Sequence, residues 1–264
     1  MGTAAVLVAA GTVGVALGVH CAPMLAALPG VRSRLHPGLF GIGAADHVAL
    51  TFDDGTDPES TPQLADALTA RGVGATFFVR GDRLARHRWL GRLLAGGGHE
   101  VAVHGWAPWP LGDHACQGVA RAASLVHEVT GAPPRWYRPP YGLLTGSALR
   151  ACRVVGLTPV LWSVRGLERC VRAESDRVGR GLAAHLRGGV TLAMHCRRSW
   201  RESLRALPAV LALCRDRGLR VGPLAEHGLP GEPGPVDEPP LAMRIVHNGA
   251  SRGRVVTGVE GPQA

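Results

Sequence analysis

The sequence predicts an α/β domain built on a parallel sheet, and three observations carry that prediction. Short runs of β-branched and apolar residues alternate with single helix-period segments about seven times between residues 44 and 228, the pattern of strands joined by crossover helices. The first run, His47-Val48-Ala49-Leu50-Thr51-Phe52, is almost continuously apolar and stops on Asp53-Asp54-Gly55. A strand buried on both faces ends this way when its carboxyl end opens on a site. With 264 residues, 46% of them hydrophobic, the chain can bury one large core. Periodicity does not say whether the sheet closes on itself.

Composition narrows the function classes. The net charge is +9, and all 29 basic residues are Arg. They are scattered through helical segments with no zinc-finger or basic-zipper pattern, so the charge reads as a solvated surface and no nucleic-acid partner is expected. The six cysteines include no Cys-x-x-Cys pair, which excludes a zinc knuckle or thioredoxin motif. Most read as small core residues, with any disulfide pairing left open.

The elements follow in order. Residues 2–19 are uncharged and nearly all small or apolar, close to the ~20 residues a membrane helix needs. They lack the basic start of a secretory signal, and His20 before Cys21 excludes lipoprotein processing, so 1–28 reads as an uncleaved anchor before a cleaved signal. Arg32 and Arg34 by themselves would hold the rest of the chain in the cytoplasm. Residues 29–43, rich in Pro, Gly and Arg, read as a linker, and 44–228 as the folded domain.

Strand 48–52 is followed by a helix opening at Thr61-Pro62, Thr as cap and Pro in the first turn, with Leu64 and Leu68 on one face. Gly72-Val73-Gly74 ends it. A strand at 75–79, one Arg-studded helix at 82–95 and a strand at 99–103 come next. A helix at 116–130, a short strand at 136–138, a helix at 147–155 and a strand at 159–163 continue the alternation. A helix at 176–185, a strand at 190–194, a helix at 199–217 with Pro208 in its first turn or at a kink, and a strand at 219–221 complete it. Residues 229–264 form a Pro/Gly-rich tail.

Adjacent Asp side chains on a strand point to opposite faces. At a strand end, with Gly55 allowing a sharp turn, Asp53 and Asp54 can both reach one cavity, one serving a metal and the other a proton. Alone, Asp-Asp-Gly is an ordinary turn.

Further stretches change that balance. Thr51-Phe52-Asp53-Asp54-Gly55, His104-Gly105-Trp106-Ala107-Pro108, Trp136-Tyr137-Arg138-Pro139-Pro140-Tyr141-Gly142, Trp162-Ser163-Val164-Arg165-Gly166-Leu167-Glu168-Arg169 and Leu192-Ala193-Met194-His195 fall in order along the chain. Together they resemble the five motifs of the polysaccharide deacetylase family, the fourth carbohydrate esterase family, over roughly residues 44–228. The resemblance implies a distorted, incomplete (β/α) barrel with about seven parallel strands. It implies a divalent metal, usually zinc, that activates water against an acetamide.

Carried over residue by residue, Asp54 and His104 match metal ligands, Asp53 the general base and His195 the general acid. Arg138 matches the residue that holds the base ionised. The backbone N–H of Tyr141 would face the oxyanion, and Leu192 would floor the acetate pocket.

Two motifs depart from the pattern. Pro108 stands where a second His ligand belongs, leaving two of the three protein ligands of a catalytic zinc site, so metal occupancy is in doubt. Asp113, His114 and Cys116 follow closely, but not at the family's spacing; His114 reads as a surface histidine. Arg165 replaces the Asp that orients and charges the acid His, and Glu168-Arg169 replace an Asp-Trp pair. Opposite charges at ~4 Å are worth about 4 kcal/mol at an effective dielectric near 20, so Arg165 reverses a substantial field at His195 and disfavours its protonation.

Two readings emerge. One is a metal-dependent N-deacetylase of an N-acetylated polysaccharide, peptidoglycan or chitin-like. The other is a catalytically impaired member that binds glycan or has a structural role. A third, weaker option is another amide on an acidic substrate recognised by Arg165 and Arg169. An envelope substrate would place the chain membrane-anchored or secreted, facing the cell envelope, against the bias of Arg32 and Arg34. The sequence leaves oligomeric state open.

Overall fold

β1 (His47–Asp53) is buried along its whole length in the computed structural model, which describes residues 18, 21–23, 37–107, 113–165, 184–197 and 199–230. β2 (Thr76–Val79) pairs with it in parallel on one side. On the other side, β8 (Arg220–Gly222) lies against its start, His47 opposite Arg220, and β7 (Thr191–His195) against its end, Asp53 opposite His195. β3 (Glu100–Val103), β4 (Trp136–Tyr137) and β5 (Thr158–Pro159) extend the row beyond β2, and β6 (Val164–Arg165) extends it beyond β7. The order β5-β4-β3-β2-β1-β7-β6 is parallel throughout, as expected for an incomplete (β/α) barrel.

The strand expected at 159–163 is instead two short strands at opposite edges of that row. β5 ends at Pro159, whose partner Tyr137 is the last residue of β4. The intervening backbone crosses the open side: the Val160 N–H donates to the Tyr137 carbonyl at 2.9 Å and the Ser163 N–H to the Thr191 carbonyl at 3.1 Å. The two edges are thereby stitched together and the sheet curls.

Strand alternation sorts the side chains. Val48, Leu50, Phe52, Phe77, Val79, Val101 and Val103 join the large core beneath the helices. Ala49, Phe78, Ala102 and Trp136 meet Val160, Leu224 and Leu229 on the concave face. Along β1 the concave face therefore continues through Thr51 to Asp53.

The helices follow the predicted apolar spacing, with local differences. α1 (Ser60–Thr69) buries Leu64 and Leu68. Its cap is Asp57 rather than Thr61: the Asp57 carboxylate accepts from the Glu59 and Ser60 N–H groups at 3.1 Å, while Thr61 Oγ1 accepts from the Asp57 N–H. The single helix expected at 82–95 is two, α2 (Gly81–Arg86) and α3 (Arg88–Gly96), broken at His87 (φ −129°, ψ 56°). The break lets Leu84 and Leu94 meet in one core cluster.

α4 (Asp113–Thr130) precedes β4. α5 (Gly146–Val155) is capped by Thr145, whose hydroxyl accepts from the Ala148 N–H at 3.2 Å. α6 (Trp200–Asp216) contains Pro208 well inside the helix rather than in its first turn. Cys152, Cys196 and Cys214 are buried, and Cys21 is exposed.

Residues 37–43, within the stretch read as a linker, are tied to the barrel. The Leu39 and Gly41 carbonyls accept from the Leu161 and Thr191 N–H groups at 2.9 and 3.1 Å. Most of residues 1–28, on which the anchor reading rests, the tail beyond residue 230 and most of the helix expected at 176–185 lie outside the described residues. Among the described residues no helix is long and apolar enough to cross a membrane.

At the amino end of β1, the buried rings of His47 and His227 meet Nδ1 to Nδ1 at 2.9 Å. Burial, then His227 and Arg220, presses the His47 pKa down to about 4. Unfolded imidazole titrates near pH ~6.5, so the pair contributes its full stability above that pH and loses it as pH falls towards about 4. The thermal midpoint is expected to drop between pH ~7 and ~5. His47→Asn should start lower and fall less over that window; an equal fall in both proteins would clear the pair of responsibility.

Candidate active site

Arg138, fully buried at the end of β4, ties the concave face together. Its Nη1 donates to Asp53 Oδ1 and to Thr51 Oγ1, both at 2.8 Å, and its Nη2 donates to the Leu161 carbonyl at 2.7 Å. Thr51 passes the chain on, its hydroxyl donating to the Leu192 carbonyl at 2.8 Å. The guanidinium also lies 3.9 Å from the Phe78 ring centre. Burial pushes the Asp53 carboxyl up, but the guanidinium of Arg138, then His104, overrule it and hold Asp53 below the usual carboxylate range.

The turn after β1 differs from the expected one. Asp54 itself, not Gly55, takes the left-handed conformation, with φ 60°. Asp tolerates that region better than most residues because its short side chain can bond locally. Gly55 answers a different need, since a Cβ there would come within 3.0 Å of Phe77. The flip of Asp54 brings both carboxylates to one cavity.

Tyr141, in the 3-10 turn Pro140–Gly142, is the other non-glycine residue with positive φ (58°) among those described, and its side chain is 65% exposed. Such a backbone costs about 1–2 kcal/mol per residue, and both instances stand at the same cavity.

That cavity, of about 290 Å³, is lined by Asp53, Asp54, His104, Tyr141, His195 and Trp162, with Pro140, Arg80 and Arg197 completing the wall. His104 is oriented by its Nδ1–H, which donates to the Arg138 carbonyl at 2.8 Å; Nε2 therefore carries the lone pair. His195 ends β7 directly opposite Asp53. Arg165 Nη2 lies 3.3 Å from His195 Nε2, and its guanidinium stands 4.6 Å from the Trp162 ring centre. Cys196, beside His195, is buried and its thiol is pushed well up by burial and by Asp54 and Asp53, which removes it as a nucleophile.

Leu192 is placed elsewhere. It pairs with Leu50 and its side chain joins the core beneath the helices, on the opposite strand face from His195, and it does not line the cavity. Pro108, Glu168 and Arg169 lie outside the described residues, as do the side chains of Asp113, His114 and Cys116. Sequence reasoning missed Arg80 and Arg197 and gave Trp162 no role. The signal available was position: Arg80 follows β2 and Arg197 follows β7, the two neighbours of β1, at their carboxyl ends.

Asp54 and His104 are the side chains at this cavity that the resemblance assigns to a metal, and they supply two ligands. No group of three or more His, Cys, Asp and Glu among the described residues could hold a metal ion. The described donor set therefore falls short of a catalytic zinc site.

Comparison with known proteins agrees with the geometry. The polysaccharide deacetylase family model matches residues 41–160. A chitooligosaccharide deacetylase from Bradyrhizobium sp. (strain ANU 289) is 32% identical over 199 residues, covering 68% of this chain and 89% of that protein. A peptidoglycan-N-acetylglucosamine deacetylase from Bacillus cereus is 31% identical over 121 residues, 44% of each chain.

Among solved structures, a family 4 carbohydrate esterase from Streptomyces lividans superposes with TM-score 0.59 at 28% identity, covering 68% of this chain and 93% of that one. A pseudoenzyme of the same esterase family from Bacillus anthracis shares the fold with TM-score 0.61 at 20% identity, covering 69% of this chain and 65% of that one. The chain belongs to the polysaccharide deacetylase family.

Arg138→Met, which leaves the Asp53 carboxylate buried without its partner, is expected to cost about 3–5 kcal/mol in denaturant unfolding. A loss under about 1 kcal/mol would mean that Asp53 finds water or another cation. Dialysed protein is expected to hold well under one zinc per chain by elemental analysis, and Pro108→His to raise it; full occupancy without the substitution would show that a third ligand is already present.

Proposed function

We propose that this protein binds N-acetylated polysaccharide in the cavity at the carboxyl end of β1 and hydrolyses its acetamide far more slowly than a fully furnished site. The observation that carries this reading is the contact between Arg165 and His195. A guanidinium only donates, so His195 Nε2 must present its lone pair to Arg165. While that contact holds, Nε2 has no proton to give a departing amine. The replacement of an orienting carboxylate by Arg165 thus acts on the proposed acid directly as well as through the field.

The remaining roles follow from position. Asp53, kept ionised by Arg138, is placed to take a proton from a water in the cavity. His104 and Asp54 line the same space, and the Tyr141 backbone at its strained turn is offered to the acetamide oxygen. Trp162 supplies an apolar wall for a sugar ring or an acetyl methyl group. The family membership and its relatives, which are named for chitooligosaccharide and for peptidoglycan N-acetylglucosamine, support an N-acetylated glycan as the ligand. An envelope-facing location fits such a ligand and belongs to the same proposal.

A specific observation keeps turnover in view: His195 and Asp53 are register neighbours on adjacent strands and line the same cavity. Restoring the missing groups should therefore restore the reaction. The double substitution Pro108→His with Arg165→Asp, assayed with added zinc on acetylated chitooligosaccharides, is expected to raise kcat/KM by at least about 100-fold, and Asp53→Asn in that background to remove the gain. An unaltered protein already as active as the double variant would overturn the impaired-site reading. No gain at all would overturn the assignment of these two positions.

A further inference from the structure

A second cavity, of about 470 Å³, opens at the amino end of the sheet, away from the Asp53-Asp54 pair. On one side Arg71 and Val73 lie in the connection between α1 and β2, while Leu219 leads into β8 and Val221 lies within it. The other side is one face of α6, where Pro208, Leu211, Ala212 and Arg215 recur at positions i, i+3, i+4 and i+7. This stripe is separate from the one that α6 buries in the core through Ala206, Leu207, Val210 and Cys214.

The lining divides by chemistry. Val73, Leu211, Leu219 and Val221 are half-buried and make a recessed aliphatic floor, with Pro208 and Ala212 exposed at its rim. Arg71 and Arg215 are the remaining lining residues, and both are exposed. Arg71 Nη1 donates to the Ala67 carbonyl at 2.6 Å, which leaves its other N–H groups for a ligand. Among the described residues no carboxylate lines this cavity, and neither guanidinium has an ion-pair partner. A cavity of this size, mostly apolar with a few polar groups, suits a small ligand.

We propose that this cavity binds a single-chain fatty carboxylate, the aliphatic chain lying on the recessed floor and the head group taken by the arginines at the rim. The guanidiniums call for an anion, and a carboxylate matches their planar donors. The aliphatic floor calls for a chain that asks for no hydrogen bonds; an acidic peptide would bring backbone N–H and C=O groups that the floor has no side chain to receive. A bilayer surface would meet protruding apolar side chains, and here the larger ones are recessed. The site shares no residue with the cavity at Asp53 and is independent of the glycan reading.

The test is titration calorimetry on the full chain with octanoate, decanoate, laurate and 1-decanol below their micelle concentrations, at pH ~8 where the acids are ionised. Burying a CH₂ group is worth up to about fourfold in affinity, so laurate is expected to bind at least about 10-fold more tightly than octanoate. Decanoate is expected to exceed uncharged decanol by at least about fivefold at low salt, an advantage that shrinks as salt rises. Arg71→Ala combined with Arg215→Ala should bring decanoate down to the affinity of decanol. Ala212→Glu, at an exposed rim position, should weaken decanoate by at least about 10-fold while leaving the thermal midpoint unchanged. Equal binding of decanoate and decanol, or decanoate binding that Ala212→Glu leaves intact, overturns the proposal. Absence of any response to the soluble acids overturns it as well, and capture by phosphatidylglycerol vesicles in that case would assign this face to a bilayer instead.

Discussion

The buried guanidinium of Arg138 is the interaction on which the site depends. A cation sealed inside a barrel is costly unless its charge and most of its donors are matched. Here Asp53 supplies the charge, the Thr51 hydroxyl and the Leu161 carbonyl take further N–H groups, and the Phe78 face covers the guanidinium. These partners come from β1, from β2 and from the segment crossing the open side of the sheet. One residue therefore fixes the register of the first strand against the element that completes the barrel, and in doing so holds the carboxylate in its ionised form.

The strained backbone is supported by the same arrangement. Asp54 and Tyr141 occupy the left-handed region at either wall of the cavity, and Gly142 beside Tyr141 has φ 75° with its Cα held close to Trp162. A Cβ on Gly142 would approach the indole to 2.9 Å. Strain of this kind persists when the surroundings over-determine the conformation. The turn at Pro140–Gly142 begins two residues after Arg138, so the electrostatic anchor and the cavity wall share one short stretch of chain.

Against this retained framework, the altered positions change what the site offers a ligand. The core, Asp53 with its guanidinium partner, and the oriented His104 are all in place. What differs is the contact of Arg165 with His195 and, among the described residues, the number of metal donors. On the proposed reading, binding a glycan uses the walls of the cavity, whereas turnover requires a proton donor free to act.

The sequence by itself determined the parallel α/β architecture, the buried β1 and the gathering of Asp53, Asp54, His104, Arg138, Tyr141 and His195 towards one end of the sheet. The first two stem from short-range pattern, since apolar runs and helix spacing survive projection onto one dimension, and the gathering follows from the resemblance of the ordered motifs to the family. Tertiary structure decided that Asp54 rather than Gly55 makes the turn, that the segment after Pro159 divides between opposite sheet edges, and that Leu192 faces the helices. It also decided that Arg165 touches His195 and that Arg80 and Arg197 join the same cavity. Those outcomes depend on which strands lie adjacent and which face of a strand points inward. The curl of the sheet sets both, and residues far apart in sequence meet only once it has formed.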